Sequence, residues 1–124
     1  MFKPCREAGV HVYLHSDGHI LEIAEDLVKA GVSMLNLQDT VNGIENIGRK
    51  LKGEVCIDLD VDRQYLMPFG TPEEIEKHIK NVIVKLGSKK GGLALKADIY
   101  PDVPLSNIEA LCQAMEKHKY YYSK

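Results

Sequence analysis

The sequence predicts an α/β protein built from four parallel β-α units, half of a (β/α) barrel. Three observations carry this reading. Four short apolar runs alternate with stretches of helical spacing, the pattern of βαβ units and a parallel sheet. Within each run, apolar and polar residues alternate, so one face is apolar and the other polar. Polarity also rises toward the C-terminal end of each run, the end at which β/α barrels gather their functional groups.

The elements follow in order. A short helix around Lys3–Ala8 precedes the first strand, Val10–His15. In that strand Val10, Val12 and Leu14 share one face, and His11, Tyr13 and His15 share the other. Ile20, Ile23, Ala24, Leu27 and Val28 then make a helical stripe that Gly31 ends. The second strand, Val32–Gln38, sets Leu35 and Leu37 against Asn36 and Gln38. Val41, Ile44, Ile47 and Leu51 form the next stripe, closed by Gly53.

The third strand, Val55–Val61, sets Val55, Ile57, Leu59 and Val61 against Cys56, Asp58, Asp60 and Asp62. Thr71-Pro72-Glu73-Glu74 opens the third main helix. Thr71 and Glu74 have capping-box spacing and Pro72 suits the first turn. Ile75, Ile79, Val82, Ile83 and Leu86 are its buried stripe, and Gly87 ends it. Gly91-Gly92 turns into the fourth strand, Leu93–Asp98, where Leu93 and Leu95 oppose Ala94, Lys96 and Asp98. The last helix starts near Ser106, with Ser106 and Glu109 at capping-box spacing, and carries Ile108, Leu111, Cys112 and Met115.

Strands covered by helices on both faces read as continuous apolar runs; these do not. The apolar face belongs under the helices and the polar face points to a barrel interior or cleft. Four strands do not close a barrel, which takes about eight. The expectation is a single (β/α)4 half-barrel domain over 1–124, with 119–124 a tail free to fray, completed by homodimerisation or by a complementary half-barrel.

Lys+Arg 16 against Asp+Glu 18 gives a formal net charge of -2, which offers no electrostatic case for nucleic acid or a membrane surface. No apolar run approaches the roughly 20 residues of a transmembrane helix. Cys5, Cys56 and Cys112 are scattered, without CxxC spacing. They read as reduced thiols in a cytoplasmic protein rather than as a disulfide framework.

Two groups of residues can carry chemistry. His15-Ser16-Asp17-Gly18-His19 ends the first strand. His15 and Asp17 serve either as an acid-base pair or as metal ligands, or else Asp17 or Ser16 caps the following helix. Gln38, Asp60 and Lys96 are expected at equivalent heights beside them. Asp58, Asp60, Asp62 and Arg63 form the densest charge group. Neighbouring carboxylates raise one another's pKa or hold a cation; alternatively Asp62 and Arg63 form a loop ion pair. Lys96 and Asp98 pair either with each other or with a substrate carboxylate. His15, Asp17, Asp60 and Lys96 are the candidate catalytic residues, and Gln38, Asp58, Arg63 and Asp98 the candidate ligand-binding ones.

Several stretches resemble the C-terminal half of the uroporphyrinogen decarboxylase superfamily: Leu14-His15-Ser16-Asp17-Gly18, Gly31–Gln38, Asp60-Val61-Asp62-Arg63-Gln64, Pro68–Ile75, Gly91-Gly92-Leu93 and Pro101–Ala110. The resemblance implies a TIM-type (β/α)8 barrel, of which this chain supplies roughly strands five to eight. It implies a tetrapyrrole-like or other small-molecule ligand. The superfamily includes a decarboxylase, a lyase that needs no cofactor, and cobalamin-dependent methyltransferases that use zinc. The methyltransferases carry His-x-Cys after the first of these strands and a further Cys near the last. Here Asp17 stands at the first Cys, and Lys96-Ala97-Asp98 holds none. The decarboxylase carries Gly-His-Gly after the last strand, where this chain has Asp98-Ile99-Tyr100. No cofactor is therefore expected, with zinc on His15 and Asp17 as the one metal alternative. The expected function is the ligand-binding part of a decarboxylase- or methyltransferase-type enzyme, or alternatively a non-catalytic, self-associating fragment.

Overall fold

The computed structural model describes residues 1–123, and Lys124 lies outside the described residues. Its elements run α1 (Lys3–Glu7), β1 (Tyr13–His15), α2 (Leu21–Lys29), β2 (Met34–Gln38), α3 (Asp39–Asn42), α4 (Ile44–Leu51), β3 (Cys56–Asp60), α5 (Leu66–Phe69), α6 (Pro72–Leu86), β4 (Leu93–Lys96) and α7 (Leu105–His118). The strands form one sheet in the order β1-β2-β3-β4, and every pairing is parallel. Sequential order with a helical crossover at each step is the arrangement of a half barrel. A doubly wound sheet reverses its order partway.

The apolar strand face is the core. Leu35, Leu37, Ile57 and Leu59 are fully buried and pack with Leu21 and Ala24 of α2, Ile47 and Leu51 of α4 and Val82 and Leu86 of α6. Burying one such side chain contributes about 1.5–3 kcal/mol, so this layer ties the helices to one side of the sheet. A second cluster, with Val61, Met67, Ile75, Ile79, Val103, Leu111 and Ala114, joins α5, α6 and α7.

α6 begins as its sequence predicts. Thr71 Oγ1 accepts from the Glu74 N–H at 3.2 Å, and Glu74 Oε2 accepts from the Thr71 N–H at 2.8 Å. α6 ends at Gly87, whose backbone is extended, and a side chain has no room there: a Cβ would lie 2.6 Å from the Ile83 carbonyl oxygen and 2.8 Å from Tyr122 Cε2. Tyr122 in turn donates to the Val84 carbonyl at 2.6 Å.

Some expectations are corrected. The first strand is shorter than its apolar run. Val10 is 53% exposed, and its N–H bonds back to Cys5 in the turn after α1. His11 sits beside Arg6 at 3.1 Å, at the far end from the polar strand tips. Ile20, Ala24, Leu27 and Val28 face the core as expected, but Ile23 is exposed and Leu21 is buried in its place. Val41 is exposed because the helix predicted from it breaks at Gly43, φ 78°, which parts α3 from α4. Ser106 does not cap α7: the helix follows Pro104 and has no side-chain cap. Its buried face is Asn107, Leu111, Ala114 and His118, with Cys112 exposed. Among the described residues no helix is long and apolar enough to cross a membrane.

Candidate functional site

The polar strand face is layered by the sheet register. Tyr13, Met34 and Cys56 share one level; His15, Asn36, Asp58 and Ala94 the next; Gln38, Asp60 and Lys96 the level nearest the C-terminal ends. The equal heights expected for Gln38, Asp60 and Lys96 are therefore in the register, but His15, expected beside them, lies one layer lower, because β1 ends at it. The face is open to solvent: the side chains of His15, Asp17, Lys96 and Asp98 are 46%, 65%, 44% and 35% exposed.

In the middle layer a hydrogen-bond chain crosses three strands. Asn36 is fully buried and its amide donates to the Asp58 carbonyl at 2.9 Å and to Asp58 Oδ2 at 3.3 Å. That leaves Asn36 Oδ1 as an acceptor, facing His15 Nδ1 at 2.5 Å. The proton on His15 therefore sits on Nδ1, as assigned from the network. Nε2 points to the open concavity, 3.6 Å from Asp17 Oδ1. Tyr13 donates to Asp58 Oδ2 at 2.8 Å. This bond to a carboxylate, together with desolvation, pushes the phenol up to about 12.

In the upper layer Arg63 gathers three carboxylates. It contacts Asp98 Oδ2 at 2.6 Å, Asp17 Oδ1 at 3.3 Å and Asp60 Oδ2 at 3.4 Å. The Tyr100 ring lies 5.9 Å from the guanidinium carbon, within cation–π range. Asp60 is the unusual member. Its side chain is 1% exposed and neither oxygen has a hydrogen bond, so the Arg63 contact is an ion pair without hydrogen-bond geometry. Burial pushes the Asp60 carboxyl up, and the Arg63 and Lys96 charges hold it back. Lys96 lies 3.5 Å from Asp98.

The structure thus brings together His15, Asp17, Asp58, Asp60, Arg63, Lys96 and Asp98. Gln38 is engaged by the chain itself. Its Oε1 accepts from the Gly18 N–H at 3.0 Å and holds the loop after β1. Asn42 clamps the same loop, accepting from the Ile20 N–H and donating to the Gly18 and Gln38 carbonyls. Neither Ser16 nor Asp17 caps α2, whose N-cap position is Ile20. The Asp62–Arg63 loop pair does not form. Asp62 accepts instead from the backbone N–H groups of Gln64, Tyr65 and Leu66, and so starts α5.

Sequence reasoning passed over Asn36 and Tyr13 as site residues, although their positions beside His15 and Asp58 follow from the period of two. It missed Tyr100, Asp39 and His78, for which no local pattern gives a signal.

A zinc centre does not fit. Zinc takes three or four N, S or O donors. Here only His15 Nε2 and Asp17 Oδ1 approach one another, at 3.6 Å, and Asp17 is also paired with Arg63. Cys56 shares the polar face, but its thiol is pushed up by burial and then by Asp58, which disfavours the thiolate that binds metal. Among the described residues no three His, Cys, Asp or Glu side chains gather as a metal site.

The family model of uroporphyrinogen decarboxylase (URO-D) matches residues 2–118. No curated protein matches the chain.

Proposed function

The chain belongs to the uroporphyrinogen decarboxylase family, and on that premise we propose that it is the ligand-binding half of a decarboxylase-type barrel acting on a small, tetrapyrrole-like acid. Decarboxylation exchanges a C–CO2⁻ bond for C–H, so a site must orient a carboxylate and deliver a proton. Lys96 and Arg63 are the cations of the concavity, and they orient the carboxylates of the ligand. His15, with Nδ1–H held by Asn36, moves a proton at Nε2, and Asp17 stands beside that atom to stabilise the imidazolium. Asp60 accepts N–H donors of the ligand.

The observation that carries this reading is Asp60: a carboxylate 1% exposed, with both oxygens lacking hydrogen bonds, under the open strand ends. Buried acceptors without partners are costly, and a ligand N–H supplies what Asp60 lacks. The edges β1 and β4 support completion by a second copy, β4 of each pairing with β1 of the other to give a closed eight-stranded ring. The methyltransferase reading is not favoured, because the donor set does not fit zinc.

The test is a fluorescence titration of the chain with uroporphyrin and coproporphyrin, alongside light scattering. Saturable binding by a dimer is expected, weakened about tenfold or more in Asp60→Asn, in line with a lost charge-assisted hydrogen bond. A monodisperse monomer that binds neither porphyrin removes the reading. A dimer that binds neither leaves a self-associating, non-catalytic chain as its replacement.

A further inference from the structure

A second constellation lies outside the concavity, on the α6 side. Asp39, the first residue of α3, has a side chain 1% exposed. Its Oδ2 accepts from His78 Nε2 at 2.7 Å and from the Asp62 N–H at 3.2 Å. Its Oδ1 is buried with no partner. A carboxylate that holds one imidazole nitrogen fixes the ring's orientation and tautomer. In the neutral ring, with Nε2–H on Asp39, His78 Nδ1 carries the lone pair, and the ring remains 22% exposed.

His78 lines a hollow of about 680 Å³ with Asp62, Tyr65, Phe69, Glu74, Lys77 and Asn81, a volume within the small-molecule range of roughly 300–1,000 Å³. Glu74, Lys77, His78 and Asn81 recur at helical spacing, so they form one polar stripe of α6. Tyr65 and Phe69, 69% and 78% exposed, stand at the two ends of α5. The acidic members are already committed, Asp62 to three backbone N–H groups and Glu74 to Thr71. Among the described residues Lys77 has no ion pair, and no side-chain hydrogen bond engages Asn81.

We propose that this hollow binds a small aromatic acid bearing a ring hydroxyl: the ring against Tyr65 and Phe69, the carboxylate on Lys77, and the hydroxyl donating to His78 Nδ1. Charge complementarity selects the occupant. The one uncommitted charge is a cation, the flanking side chains are aromatic, and the one oriented acceptor is an imidazole nitrogen. This proposal uses none of the catalytic residues of the concavity and stands apart from the reading of that site.

The experiment titrates the full chain with 4-hydroxybenzoate, benzoate and phenol, following the His78 ring and Lys77 by NMR. Binding in the order 4-hydroxybenzoate, then benzoate and phenol, is expected. Lys77→Met should weaken 4-hydroxybenzoate and benzoate about tenfold and leave phenol unchanged. His78→Gln and Asp39→Asn should weaken 4-hydroxybenzoate and phenol and leave benzoate unchanged. His78→Gln, on a partly exposed helix position, guards against loss of fold in Asp39→Asn, and circular dichroism checks both. Equal affinity for all three probes, no perturbation of His78 and Lys77, or equal loss of every probe on His78→Gln overturns the proposal.

Discussion

Arg63→Met should destabilise the fold chiefly through Asp60. Deleting one partner of a buried ion pair costs about 3–5 kcal/mol, because a buried charge is left uncompensated. Arg63 keeps 19% of its side chain exposed and sits 3.4 Å from Asp60, which places the expected loss at the low end, ~3 kcal/mol. The contacts to Asp17 and Asp98 are 65% and 35% exposed and add at most about 0.5 kcal/mol each. At roughly 3–6 °C per kcal/mol for a chain of this size, Tm falls by about 10 °C. In an Asp60→Asn background the same substitution should cost only about 0.5–1 kcal/mol, because no buried charge remains to be orphaned. The pH dependence has a definite sign. The folded Asp60 carboxyl is raised by burial, so it holds its proton to higher pH than in the unfolded chain. Stability therefore falls as pH rises through the interval from the ordinary aspartate value to the raised one. Without Arg63 that interval extends further upward, and Arg63→Met should recover stability on acidification. Urea unfolding followed by circular dichroism, at neutral and mildly acidic pH, measures the full double-mutant cycle. Additivity of the two substitutions within about 0.3–0.5 kcal/mol would refute the reasoning.

Three further outcomes are expected. In a near-ultraviolet absorbance titration, one of the six tyrosines should ionise near pH 12 and disappear in Tyr13→Phe, because its hydroxyl bonds Asp58. The folded phenol keeps its proton after the unfolded one has lost it, so wild-type stability should decline from the ordinary tyrosine value up to about 12; an unchanged titration curve in Tyr13→Phe counts against the assignment. Thr71→Ala removes the side chain that accepts from Glu74 N–H and should cost about 1 kcal/mol in chemical denaturation. Asn107→Ala removes both bonds from its amide to the Met67 and Gly70 carbonyls, each at 2.9 Å. It should cost about 1–3 kcal/mol, with hydrogen exchange accelerated first in α5.

The strands and helices were legible because periodicity is a local property. Leu35, Leu37, Ile57 and Leu59 alternate with polar residues, and the structure buries all four beneath the helices. The capping box at Thr71 and the Gly91-Gly92 turn are also local, and both read directly from neighbouring residues. The failures have local causes too. Val41 lay on an apolar period that ignored Gly43, and a φ of 78° there costs glycine nothing while breaking the helix. Ser106 had capping-box spacing, but Pro104 stands at the N-cap position.

The half barrel and the shared level of Gln38, Asp60 and Lys96 belong to the sequence: a period of two sets the face, and the β-α repeat sets the strand order. Which side chains pair across those layers was decided only by tertiary structure. Arg63 meets Asp17 and Asp98 at separations of 46 and 35 residues, and Asp39 meets His78 at 39. Local spacing carries no information over such distances. Asp62, adjacent to Arg63 in the chain, accepts from the backbone N–H groups leading into α5 instead of pairing with it. Backbone N–H groups at a helix start need acceptors, and Asp62 was the carboxylate within their reach.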